Sequence, residues 1–162
     1  MSVICEYSES NGVGETVQDN IDNINFGSID AYEIVPASNA IIAGNNSYIK
    51  YIRVKFTGIY TEISNIKFYK SAGAMATGEV ITAAANVVYA TPVATASGDS
   101  AVPTTGGSAL SINSAEGDPT IMYGASGVSG YTGYIRLQLQ TTISTPPGAL
   151  AQKTFSIQYD AV

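Results

Sequence analysis

Tyr51-Ile52-Arg53-Val54-Lys55-Phe56 alternates without a break: Ile52, Val54 and Phe56 share one face, and Arg53 and Lys55 take the other. A stripe of period two buries one side of a strand and wets the other, as in an antiparallel sheet with one face on a core. The same reading extends outward to three more segments. In Ile63–Lys70, Ile66 and Phe68 oppose Asn65, Lys67 and Tyr69. In Tyr134–Gln140, Ile135, Leu137 and Leu139 oppose Arg136, Gln138 and Gln140. In Thr154–Tyr159, Phe155, Ile157 and Tyr159 oppose Ser156 and Gln158. The apolar faces of these four strands are expected to meet in one inter-sheet core of Ile52, Val54, Phe56, Ile66, Phe68, Ile135, Leu137, Leu139, Phe155 and Ile157.

Composition points the same way. The 162 residues include 18 Ile, 12 Val, 15 Thr and 11 Tyr against 4 Leu, a bias toward side chains that suit a pleated, half-buried surface. Turn signals such as Asn11-Gly12, Thr57-Gly58, Ala72-Gly73, Thr77-Gly78 and Pro146-Pro147-Gly148 recur about every ten residues, the punctuation of an all-β sandwich. Weaker strands are expected at Val3–Tyr7, Tyr32–Val35, Glu79–Ala83, Val87–Ala90, Ser108–Ile112 and Thr120–Tyr123. Val80–Val88 tolerates a helix but has neither a cap nor a 3.6-residue period, so it reads as strand or loop. Residues 91–107 read as a long irregular excursion, and residues 8–30 as a polar arm. The length suits one domain with its own core. The expected fold is an all-β, Ig-like or jelly-roll-type antiparallel sandwich with an extended N-terminal arm: residues 1–45 as an acidic arm or edge segment, and 46–162 as the sandwich.

Charge is scarce, at 12% of residues, and unevenly placed. Residues 1–49 carry seven acids (Glu6, Glu9, Glu15, Asp19, Asp22, Asp30 and Glu33) and no Lys or Arg. Residues 50–70 then bring Lys50, Arg53, Lys55, Lys67 and Lys70 against Glu62 alone. The net charge of −6 and pI of about 4.4 argue against a nucleic-acid reader, which would show a dominating basic face. The basic segment reads instead as the counterpart of acidic surface on its own chain or a neighbour's.

Several chemistries fall away. Without histidine there is no Ser-His-Asp triad, no imidazole acid–base step and no His-ligated zinc. One cysteine, Cys5, excludes a disulfide framework and reads as a buried structural thiol. Glu116 and Asp118 flank Gly117 in a turn, where carboxylates point outward together instead of facing each other across a cleft. Asp19–Asn25 is rich in oxygen but lacks the spacing of an EF-hand loop. Asn45-Asn46-Ser47 matches a glycosylation sequon, yet the N-terminus lacks the basic and apolar regions of a signal peptide. No run of about 18 apolar residues would span a membrane as a helix. Neither enzyme activity, metal nor cofactor is therefore expected. Tyr123, Tyr131 and Tyr134 surround a Gly/Ser-rich loop, a pattern that fits subunit contact or, alternatively, a sugar platform on a carbohydrate- or cell-surface-binding module.

Thr145–Asp160, following Tyr134–Thr141, resembles the last hairpin of Ig-like sandwich modules, in which a Pro/Gly turn precedes the closing strand. Lys55–Gly73, with Tyr89–Thr95 and Val102-Pro103-Thr104, is similar to stretches of small structural proteins of tailed bacteriophages. That resemblance implies a virion component assembled in the host cytoplasm, a capsid decoration or cement protein, with head- or tail-fibre parts as variants. It implies the major capsid protein or other virion proteins as partners, and a homo-oligomer. In the leader, Val3, Ile4, Tyr7 and Phe26 are too apolar for a solvated tail. With Tyr123 and Tyr131 they are the expected partner-binding residues.

Overall fold

The computed structural model describes residues 2–115, 121–124 and 129–162, and their regular structure is entirely β. The strands are β1 (Ser2–Asn11), β2 (Thr16–Asp19), β3 (Lys50–Ile59), β4 (Glu62–Ala72), β5 (Glu79–Val87), β6 (Ser100–Ala101), β7 (Leu110–Ser111), β8 (Ile121–Tyr123), β9 (Gly130–Tyr131), β10 (Tyr134–Thr141) and β11 (Thr154–Ala161). One sheet has the order β2-β1-β3-β10-β5-β6, with β9 also on β3; the other has the order β11-β4-β7, with β8 also on β4. Every pairing is antiparallel. The chain is an antiparallel β-sandwich.

The core forms where the alternation put it. Ile52, Val54, Phe56, Ile66, Phe68, Ile135, Leu137 and Leu139 are buried in one cluster, and Phe155 and Ile157 are half-buried against it. Register brings Ile135 opposite Ile52 and Ile157 opposite Phe68. Phe68 stacks on Phe155 with centroids 5.4 Å apart, and Phe56 meets the edge of Tyr159 at 4.9 Å. Aromatic pairs in these geometries add to the stabilisation from area burial alone. A smaller cluster of Ile49, Tyr51 and Tyr134, with Val87 and Tyr89 against it, lies apart from this core.

Of the two readings of the leader, arm or edge segment, residues 2–19 take the second. β1 pairs with β3 through nine residues, from Ser2 opposite Ile59 to Ser10 opposite Tyr51, and turns back into β2. Residues 2–19 are thus the edge of a sheet. The polar run Ser8-Glu9-Ser10 hid the second half of this strand: all three residues are buried, and Asp19, Lys50 and Glu15 supply hydrogen-bond partners. Residues 20–45 contain no strand, and the one expected at Tyr32–Val35 does not form. Ile21 nevertheless enters the core, and Ile24, Phe26, Tyr32 and Ile41 pack against it. The segment is held by Ser28 N–H donating to Asn39 O (3.0 Å) and Tyr48 N–H to Gly27 O (3.0 Å). A Cβ on Gly27 would stand 2.8 Å from Ile34 Cδ1 and 3.1 Å from Asn39 O, so any larger residue there would have to move Ile34.

Three smaller differences have local causes. The strand expected at Glu79–Ala83 runs on to Val87 as β5, because β10 pairs along its whole length with an irregularity at Tyr134/Ile135, whereas the strand expected at Val87–Ala90 does not form beyond Val87. Residues 91–107 are irregular except for the two residues of β6. Cys5 is exposed instead of buried: it lies on the edge strand, opposite Phe56. Partial burial of the sulfur, with help from the Glu6 carboxylate, pushes its thiol up to about 11.

Candidate functional site

The acidic leader and the basic strand region meet within the chain. Lys50, at the start of β3, points to the inner side with Ile52 and Val54; its ammonium donates to Glu9 Oε1 (2.7 Å) and to Ala31 O (2.6 Å). Both side chains of this ion pair are fully buried. Burial pushes the Glu9 carboxyl above its ordinary value against the opposing pull of Lys50. On the other face, Lys55 Nζ donates to Asp19 Oδ2 (2.6 Å) and Ser8 Oγ to Asp19 Oδ1 (2.6 Å). Burial alone would raise the Asp19 carboxyl, but hydrogen bonds from Lys55, Ser8 and Tyr131 outweigh it and hold it low. The oxygens of Asp19 are thereby engaged, and among the described residues no three acid or cysteine side chains gather as a metal-ligand group.

The tyrosines do not form one platform. Tyr131, on β9, donates its hydroxyl to Asp19 Oδ2 (3.0 Å). Tyr134 is buried at the start of β10, its hydroxyl donates to Glu15, and the Arg53 guanidinium lies 3.9 Å over its ring. A cation on the ring face occupies the surface on which a sugar would stack. Tyr123 belongs to β8, in the other sheet, where it pairs with Glu62. The carboxylate pair Glu116 and Asp118 lies outside the described residues.

The leader residues divide between two settings. Val3 is half-buried and packs on the core. Ile4 is exposed on the outer face of β1, a diagonal neighbour of Ile59 across the pairing with β3, and Val162 is exposed close to the same end, its backbone paired with Thr61 and Glu62. Ile42 and Ile143 are exposed at the opposite end, 73% and 91% accessible, where Gly44 N–H donates to Thr141 Oγ1 (3.0 Å) and ties the two loops together. Tyr7 and Phe26 instead line a cavity.

That cavity, of about 990 Å³, opens at the end of the sandwich where β5 begins and β10 finishes. Ile81 and Leu139 form its wall from one sheet, Phe155 from the other, and residues 21–43 and 145–153 close over it. An ion pair stands in this lining: Lys153 Nζ lies 2.5 Å from Glu79 Oε1, with side chains 7% and 1% exposed. Glu79 Oε2 accepts from Ala76 N–H (2.7 Å). Lys153 Nζ, despite its proximity to Glu79, makes no hydrogen bond of good geometry. Sequence reasoning missed this pair because no motif links Glu79 to Lys153; only the closure of the sandwich brings them together. No family model, curated protein or solved structure matches the chain.

Proposed function

We propose that this chain is a non-enzymatic virion structural protein of the capsid decoration or cement kind, binding neighbouring subunits of an assembled shell. The carrying observation is the set of large aliphatic side chains left in solvent at both ends of the sandwich: Ile4, Ile59 and Val162 at one, Ile42 and Ile143 at the other. In a chain with so few charges, grouped apolar exposure of this kind marks surfaces that another protein covers. A ligand that prefers the assembled state stabilises it by mass action, which is how a cement protein would act.

The test is co-sedimentation of the purified chain with shells of the capsid protein encoded in the same genome. The expected result is saturable binding to assembled shells, little binding to free capsid subunits, and a higher melting temperature of the decorated shell. Absence of shell binding at micromolar concentration overturns the proposal.

A further inference from the structure

We propose that Lys50 and Asn11 condense into an intramolecular isopeptide bond, with Glu9 as the proton acceptor and ammonia as the leaving group. This goes beyond the assembly role and stands independently of it. The register of β1 on β3 brings the two residues together. Ser10 is opposite Tyr51, so the next antiparallel step sets Asn11 opposite Lys50. Side chains directly opposite in such a pair lie on one face, with Cβ atoms about 4.5–5.5 Å apart. Glu9, two residues before Asn11 on β1, shares that face. Its carboxyl meets both neighbours: Lys50 Nζ at 2.7 Å, and the side-chain amide of Asn11.

Three acceptor oxygens of this cluster are buried without a hydrogen bond: Glu9 Oε2, Asn11 Oδ1 and Asp30 Oδ1. Buried acceptors without donors are costly, and each calls for a reason. Moving one proton from the Lys50 ammonium to the Glu9 carboxylate, and carrying it on Oε2, turns one orphaned acceptor into a donor. The carbonyl of the adjacent Asn11 amide is then polarised by it. Burial favours the neutral carboxyl and the Asp30 charge adds to that, against the pull of Lys50. The transfer leaves a desolvated neutral amine, the nucleophilic form of lysine, beside an activated amide. The Nζ lone pair attacks Asn11 Cγ; the Nζ–Cγ bond forms and the Cγ–Nδ2 bond breaks. Nδ2 takes a proton from Nζ and leaves as ammonia, from a residue that is only half-buried. An ammonium, a carboxylate and a primary amide thus become a secondary amide, a carboxylic acid and ammonia, with hydrogens and charge balanced. Fixing amine and amide side by side replaces a bimolecular encounter, which brings a slow condensation within reach. The competing attack on Cγ by the Gly12 nitrogen, giving a succinimide, is opposed because that N–H already donates to Asp30 Oδ2 (2.8 Å). The product ties the edge strand β1 covalently to β3.

The experiment measures the intact mass of the purified full chain after denaturation. The mass should be lower than that of the sequence by one ammonia, and digestion should yield a branched peptide joining the Asn11 and Lys50 segments. Asn11→Ala removes the electrophile and Lys50→Arg the nucleophile, so each should keep its full sequence mass. Glu9→Gln removes the proton acceptor and should slow the condensation about a hundredfold, followed by mass after refolding. Circular dichroism confirms that each variant is folded, and the native-chain mass and branched peptide decide even if none folds. A native chain at its full sequence mass overturns the proposal, as does an unchanged rate in folded Glu9→Gln. An ammonia loss that persists in Lys50→Arg overturns it too, and cleavage by hydroxylamine then identifies the product as the Asn11-Gly12 succinimide. None of these readouts needs a shell, so they fail or succeed separately from the assembly reading.

Discussion

Phe68 and Leu137 come from opposite sheets and are both fully buried, so neither has solvent to relax into when truncated. Phe68→Ala or Leu137→Ala should each cost about 2–5 kcal/mol, measured by urea unfolding, as large-to-small changes in a packed core do. The Glu9–Lys50 pair makes a different demand. Lys50→Met strands a carboxylate at zero exposure and should cost about 3–5 kcal/mol, whereas Glu9→Gln with Lys50→Met should recover much of that loss. Equal stability of the single and double variants would show that the pair is not the reason Glu9 is tolerated inside. Asp99 contributes, with Asp19, to the acid limb of stability. Burial would raise its carboxyl, but hydrogen bonds from Arg136 and Ser97 hold it below the ordinary value of 3.8. A depressed folded value contributes stability above the unfolded pKa and loses it as pH falls through the folded one. Melting temperatures should therefore fall as pH drops below about 4, and Asp99→Asn should flatten that limb while lowering stability at neutral pH.

At the scale of elements, β3, β4, β10 and β11 were legible because each keeps its alternation intact over its length. Their apolar residues needed no knowledge of partners to be placed. β1 was only half legible: Val3–Tyr7 reads as strand, but Ser8-Glu9-Ser10 does not, since the pattern of burial depends on Lys50, Asp19 and Glu15 supplying partners. Because β1 pairs with β3 over nine residues and Ile21 enters the core, the leader belongs to the sandwich. Deleting residues 1–30 removes β1 and β2 and uncovers the edge of β3, an aggregation-prone template. The product should be unfolded or aggregated by circular dichroism and size exclusion. A soluble product with the native melting temperature would restore the arm reading.

For the whole molecule, the exposed aliphatic ends and the packed core make separable contributions. Changing Ile42 and Ile143 together to Asp removes apolar surface that touches little, so each change should alter stability by no more than about 0.5 kcal/mol. The same double variant should bind assembled shells at least tenfold more weakly than the native chain in the sedimentation experiment, and an unchanged affinity would move the contact to another face.

Read alone, the sequence determined the all-β class, the four central strands and the inward residues of the core. All of these follow from local alternation, which a strand expresses wherever it lies. It also showed that acids and bases were segregated along the chain. Only the tertiary structure decided that Glu9 meets Lys50 and Asp19 meets Lys55, that Tyr134 is covered by Arg53, and that Glu79 and Lys153 share the lining of a cavity. Those contacts join residues 41, 36, 81 and 74 positions apart in the sequence. Separations of this size are set by which strands pair and how the sheets face each other, and no local pattern encodes them.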